Sequence, residues 1–308
     1  MISNPDRTAL VSSLGWVDKG ALWRFDVPTA TIERFELGRG ARYLSVHSSG
    51  SGLFSVVHHF DGSRMELTVH DFMEPREVRS HAILDRNQRS LIGDFAAWEK
   101  VPRLYVEYLN IGTRNDFTLI KIEPSRENLS LQSLEWYDDS YDKGYQGVGD
   151  AVEIPGEDFA LVSVQRSSKL ILHDLTTGRM RASIDLGGRG GNPDLKFRQR
   201  GSEIWASDYD TLVVLEGKEF RVLRSARLQG EADGVKEFIG DYAFTADETL
   251  CVVARPFSGD VVGIDPVTMK IERAAKLGRQ PLEVMALAQG EVVSRDWKTG
   301  DLLRGRLQ

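Results

Sequence analysis

The chain has 308 residues, 41% of them hydrophobic and 28% charged, with 29 Gly, 10 Pro, one Cys and a formal net charge of −7. That is the composition of a globular protein with a sizeable core and many tight turns, not of a disordered or fibrous chain. The acidic balance argues against a nucleic-acid partner, because that affinity comes from clustered Lys and Arg neutralising phosphates. No basic segment followed by an apolar stretch opens the sequence, and no run of about 18 apolar residues occurs, so the expectation is a soluble, cytoplasmic protein without membrane contact. Cys251, in the apolar run TLCVVA, reads as a buried small hydrophobe, and an internal disulfide is impossible.

In chain order, the first alternating segment is ALVSSLGWV at 9–17, a second strand of its unit. Three phrases then echo one another: FDVPTATIERFELGRG at 25–40, HDLTTGRMRASIDLGGRGGNP at 173–193 and IDPVTMKIERAAKLGRQP at 264–281. Each carries an Asp, a Thr three residues later, an alternating run, then Leu, Gly and Arg. The acidic residues that close an apolar strand before such a turn are Asp26, Asp71, Glu123, Asp174, Glu216 and Asp265, spaced 42 to 52 residues apart. A period in the forties, with several short alternating segments per unit, is the pattern of propeller blades; helical repeats would place apolar residues every three to four positions.

One unit serves as template. An inner strand A near 149–154 precedes FALVSVQ, then the turn RSS, KLILHDL, the turn TTG and RMRASIDL, which read as strands B, C and D. The Asp and Thr oxygens cap backbone amides of the C–D turn, and Gly178 supplies a positive φ there. Six such hairpins are expected, followed by PLEVMALAQGEVVSRDWKTGDLLRGRLQ, which supplies strands A, B and C only. The expected fold is all-β, one propeller domain over residues 1–308 with four-stranded antiparallel blades, seven preferred and six the alternative. One terminus is expected to donate a strand to the other's blade, and residues 1–8 are the only spare chain.

The D-x-x-T-G hairpin with its alternating strand and Gly resembles the seven-bladed YVTN-type propellers and, more distantly, quinoprotein repeats. The quinoprotein repeat implies a Trp soon after the Gly, whereas Gly178 is followed by RMRASI and Gly300 by DLLRGR. No quinone or other cofactor is therefore expected. LGWVDKGALWRFD is similar to segments of gluconolactonase-type propellers, and RYLSVHSSGSGLFSVV to phosphogluconolactonase repeats. Recurring Gly-His and Trp-Asp signatures of WD repeats are absent, and Asp296 and Trp297 stand in the reverse order.

Function is expected in the B–C and D–A connections, since strand interiors are consumed by sheet packing. These connections mix basic residues with carboxylates and aromatics. The candidate ligand-binding residues are Trp16, Arg42, Arg89, Tyr141, Tyr145, Arg166, Asp208, Tyr209, Arg255, Arg295 and Trp297. Arg groups would grip a carboxylate or phosphate in paired hydrogen bonds, and aromatic faces would stack on a flat ligand. The alternative is a solvated face whose Arg and Asp satisfy one another. The loop YDDSYDKGYQGVGD at 137–150 is the longest connection and reads as a lid. His47, His58, His59, His70 and His81 fall within one unit but on different strands, so interblade packing is preferred to a metal site. No catalytic motif is recognisable by spacing. Two functions follow: a propeller that binds a protein partner or a small anionic or hydroxyl-rich ligand, or a lactonase-type hydrolase of a sugar-derived or anionic molecule.

Overall fold

Of residues 1–147, the computed structural model describes the strands named below and the turn at 28–30, with side chains at 24–26 and 28–34. Beyond them it describes residues 148–308 except 165–166, 192–193, 229–236 and 288–289, with side chains from 150 onward. Seven sheets are present among the described residues. The first holds β1 (Ile2–Ser3), β2 (Ala9–Ser13), β3 (Ala21–Asp26) and β4 (Thr31–Glu36), and the second β5 (Ala41–Ser49), β6 (Gly52–Asp61), β7 (Arg64–Asp71) and β8 (Val78–Leu84). The third holds β9 (Gln88–Leu91), β10 (Arg103–Asn110), β11 (Asp116–Lys121) and β12 (Ser130–Leu134), and the fourth β13 (Val148–Glu153), β14 (Phe159–Val164), β15 (Lys169–Asp174) and β16 (Met180–Asp185). The fifth comprises β17 (Leu195–Arg198), β18 (Glu203–Asp208), β19 (Thr211–Glu216) and β20 (Val222–Arg227), and the sixth β21 (Asp241–Phe244), β22 (Cys251–Arg255), β23 (Asp260–Ile264) and β24 (Ile271–Ala275). The last has three strands, β25 (Pro281–Ala286), β26 (Glu291–Asp296) and β27 (Leu302–Arg306). Strands lie side by side in chain order, A to D, and a 3-10 turn at Gln199–Gly201 is the one named helical element among the described residues.

The acidic markers fall where the repeat requires. Asp26, Asp71, Asp174 and Glu216 end third strands and Asp265 directly follows one, while Glu123 lies outside the described residues. Ile2 and Ser3 pair with Val11 and Leu10, so β1 belongs to the first sheet, and the last sheet has three strands among the described residues. The five expected histidines lie on the four strands of the second sheet.

By Cα proximity the chain forms two compact units, residues 1–153 with 173–181, and residues 154–172 with 182–308. In the first, Asp26 Oδ1 accepts the Thr29 amide at 2.9 Å and also its hydroxyl, and Arg24 on β3 reaches Glu33 on β4 at 2.7 Å. The same turn chemistry is seen at Asp174, whose Oδ1 accepts the amides of Thr176 and Thr177, both at 2.9 Å. The Thr177 amide and then Arg181 hold the Asp174 carboxyl down at about 2. The residue after the Thr is left-handed in each case, Ala30 at φ 54° and Gly178 at φ 71°. Only the second is a glycine, so the cap tolerates the local cost at the first.

In the second unit, alternate residues of one strand serve two layers of core. On β22, Cys251 and Val253 pack with Trp205, Leu212 and Val214 of the fifth sheet, whereas Val252 and Ala254 pack with Val284, Ala286 and Val292 of the last. A strand apolar on both faces must read as a continuous hydrophobic run, which is why TLCVVA and DVVGI lack alternation. The fourth strand β16 faces solvent on one side and alternates, and β24 is exposed along nearly its whole length. Trp205 is fully buried, edge-on to Phe244 at 5.0 Å, and its indole N–H donates to Glu203 at 3.0 Å. Cys251 is buried as expected, and that burial pushes its thiol well above the usual range.

Candidate functional site

The B–C turns and D–A connections of the second unit meet at one end of its sheets, and hydrogen bonds show how. The connection after β16 ties two successive turns. Gly190 N–H donates to Ser168 Oγ at 2.8 Å, in the B–C turn before it, and Gly191 N–H donates to Asp208 Oδ1 at 2.9 Å, in the turn after it. The connection before β21 repeats the device with the carboxylate on the other partner. Ile239 N–H donates to Tyr209 O at 2.7 Å, while Glu237 accepts the amides of Phe257 at 3.1 Å and Ser258 at 2.8 Å. After β24, Lys276 Nζ donates to Ser258 O at 2.8 Å, and the amides of Arg279 and Gln280 donate to Asp296 Oδ2 at 2.6 and 2.9 Å. Each connection thus fixes two neighbouring turns, mostly through backbone amides, which loops without ladder partners must satisfy somehow, and once through the Lys276 ammonium.

Asp296 carries the heaviest load. Its other oxygen accepts the amides of Lys298 and Thr299, at 2.8 and 3.1 Å. Burial opposes its ionisation, but the Gln280 and Arg279 amides, with those of Thr299 and Lys298, hold the carboxyl below the usual range. Trp297 N–H donates to Gln280 O at 2.9 Å, which fixes the backbone that presents the indole.

The sequence-derived candidates divide sharply. Asp208 is fully buried, with Oδ1 on the Gly191 amide and Oδ2 without a partner among the described residues. A Cβ on Gly188 would lie 1.6 Å from that Oδ2, so only glycine passes there. Arg255, 3% exposed, forks onto Asp260 at 2.8 and 2.6 Å. Arg295 does the same to Glu283, at 2.9 and 2.5 Å. Tyr209 is half-buried with φ 54°, and Trp297 is 49% exposed. Arg42 lies in β5 and Arg89 in β9, where only the backbone is described; Trp16, Tyr141, Tyr145 and Arg166, and the lid expected at 137–150 up to residue 147, lie outside the described residues.

Sequence reasoning passed over Phe257, Phe238 and Lys276. Phe257 is 46% exposed and meets Phe238 edge-on at 5.0 Å. Its signal was an aromatic beside Pro256 in a turn, where no strand needs it. Phe257 and Trp297, on successive B–C turns, stand among the exposed cations Lys276, Arg279 and Lys298. Such groups join large apolar area to exposed positive charge, the composition of a recognition surface, and Lys276 already donates to Ser258 O.

A second charged group lies on the A strands. Lys196 on β17 donates to Asp241 on β21 at 2.6 Å and to Tyr242 O, and sits 3.0 Å from Asp194. Burial works against its charge, but Asp194 and Asp241 outweigh it and hold the ammonium above the usual lysine range. Asp241 Oδ2 also accepts the Val284 amide at 3.0 Å, which links β21 to β25. One ammonium thus bridges two carboxylates, and burial pushes the Asp241 carboxyl above its usual range in spite of Lys196. No group of three or more His, Cys, Asp or Glu is placed to hold a metal among the described residues.

Solved structures of other proteins share this fold. The β-propeller domain of Cps50 (Swd1) from Myceliophteria thermophila matches with TM-score 0.66 and 10% identity, over 93% of this chain and 90% of that one. The fold is a β-propeller. A chain of the mitotic checkpoint complex matches with TM-score 0.69 and 7% identity over 97% and 83%, and Kuenenia stuttgartiensis hydrazine synthase with 0.65 and 11% over 99% and 94%. No family model and no curated protein sequence matches this propeller.

Proposed function

We propose that this chain is a binding propeller, one domain over residues 1–308, whose seven sheets are seven blades of the YVTN type. It engages a partner protein through the end where B–C and D–A connections meet. The observation that carries this reading is the pair of half-exposed aromatics on successive turns, Phe257 and Trp297, flanked by Lys276, Arg279 and Lys298. The matching face is acidic with apolar anchors. Rings bury area at low entropic cost and the exposed ammonium and guanidinium groups steer an anionic surface toward them.

Arg255 and Arg295 shape this end, because their charges are already engaged within it, and Asp208 does so through the Gly191 amide on its Oδ1. Tyr209 and Trp297 contact the partner, and Trp16, Arg42, Arg89, Tyr141, Tyr145 and Arg166 are kept as ligand-binding candidates on their sequence pattern alone. A macromolecular partner is favoured over a small ligand because the aromatics and cations are spread over successive turns. The structural neighbours named above include an assembly of checkpoint proteins, which accords with a binding role.

The test is quantitative capture on the immobilised protein. Replacing Phe257 and Trp297 together by Ala is expected to deplete the bound species, whereas replacing Val267, 69% exposed in a C–D turn, is not. Equal capture by both variants would refute the reading.

A further inference from the structure

Among the described residues the last sheet has three strands where the others have four, and its outermost strand is the most exposed third strand of the second unit. Third strands elsewhere in the second unit are almost wholly buried: four of six residues in β19 and all five in β23. The third strand of the last sheet, β27, has no buried residue; its pattern is that of a fourth strand.

Its backbone polarity follows from register. Asp296 N–H donates to Asp301 O, Leu307 N–H donates to Gly290 O, and between them β26 and β27 pair without a bulge. In an antiparallel ladder, residues with both polar groups toward the partner alternate with residues that turn both away. Residues 301, 303, 305 and 307 therefore face β26, and Leu302, Arg304 and Arg306 turn their N–H and C=O groups outward. No hydrogen bond to those outward groups is found among the described residues. Gln308 instead pairs with Ala274 of β24.

We propose that the outer edge of β27 is a docking site for an extended acidic segment of a partner protein, which adds as a fourth strand. Strand addition to a free edge is a recurrent mode of peptide recognition, with main-chain bonds giving affinity and alternate side chains giving selectivity. Charge selects the occupant. At the fourth and fifth sheets the Arg is on the outer strand, Arg181 and Arg227, and the carboxylate is at the third strand, Asp174, or in the turn before it, Asp210. On β27 the third strand carries the arginines, Arg304 and Arg306, both exposed. The first sheet shows the complement such a strand takes: Arg24 on β3 is opposite Glu33 on β4 and bonds to it at 2.7 Å. Glu291 already engages Arg304 at 2.6 Å, so the incoming carboxylates meet Arg306 first. This site is separate from the B–C turn surface and stands or falls independently of it.

The probe is a fluorescein-labelled alternating Glu-Val octapeptide, with alternating Lys-Val and proline-interrupted Glu-Val peptides as controls. Fluorescence anisotropy is expected to show saturable binding of the Glu-Val peptide alone. Amide exchange read by NMR is expected to show new protection at Leu302, Arg304 and Arg306 and none at the exposed β16 edge. Arg304→Pro removes an outward donor while sparing the ladder to β26, and weakens binding by about tenfold or more. R304Q with R306Q, which keeps every backbone donor, weakens it by a similar factor. No binding of the Glu-Val peptide, equal binding of the Lys-Val peptide, or unchanged outward-amide exchange on binding would overturn the proposal. So would a concentration-dependent dimer abolished by Arg304→Pro, since a second copy would then be the occupant.

Discussion

Arg255 Nη2 lies 2.6 Å from Asp260 Oδ2, and both side chains are about 5% exposed or less, so the two ends of one B–C turn are clamped by a buried ion pair. Removing one partner strands a charge in a poorly solvated place. Arg255→Ala is expected to cost about 3–5 kcal/mol, against a much smaller loss for Arg255→Met with Asp260→Leu. Urea denaturation of the two variants checks it. A small loss in Arg255→Ala would return the guanidinium to the pool of groups free for a ligand.

Gly188→Ala and Gly156→Ala separate two reasons for glycine. A Cβ at 188 would collide with the Asp208 carboxylate, whereas at 156 it meets nothing within 4 Å and only φ 80° resists it. Gly156→Ala is expected to cost about 1 kcal/mol from backbone strain. Gly188→Ala should cost more, with the Asp208 resonance displaced in NMR spectra.

The Asp174 cap sets a pH window. Its folded carboxyl is held at about 2, below the ordinary value of 3.8, so its stabilisation is complete above pH 4 and fades as pH falls toward 2. Asp174→Asn is expected to lower the melting temperature by a few degrees at pH 7 and by less at pH 2.5. An equal shift at both values would show that the charge is not what the turn uses.

The architecture was legible because it is written in local chemistry. Asp174 followed by Thr177 fixes a turn by bonds within four residues, and the spacing of such turns gives the blade length. The bonding of Arg255 was hidden for the opposite reason. Its partner Asp260 is five residues away across a turn, and a sequence does not show whether a nearby Asp is bonded or bystander. Glu237 was invisible for the same reason, since the amides it caps belong to Phe257 and Ser258, twenty residues on. The open edge of β27 was half visible. The last unit reads as three strands, but only the pairing of β1 with β2 shows that residues 2 and 3 belong to the first sheet.

Trp205→Ala tests the layered core. The indole fills the space between the fifth and sixth sheets, edge-on to Phe244 and bonded to Glu203. Its loss is expected to cost about 3–5 kcal/mol, while Trp297→Ala, at an exposed turn, leaves the melting temperature within about a degree. Calorimetry of the pair distinguishes a core aromatic from a surface one.

The central claim is that partners engage the end carrying Phe257 and Trp297, and photo-crosslinking from defined positions measures it most directly. A benzophenone side chain at Lys298, exposed beside Trp297, is compared in cells with one at Val267, exposed in a C–D turn. The account predicts a discrete adduct from position 298 that disappears when Phe257 and Trp297 are both replaced by Ala, and none from position 267. An adduct from position 267 alone, or one at 298 that survives the double replacement, would contradict it.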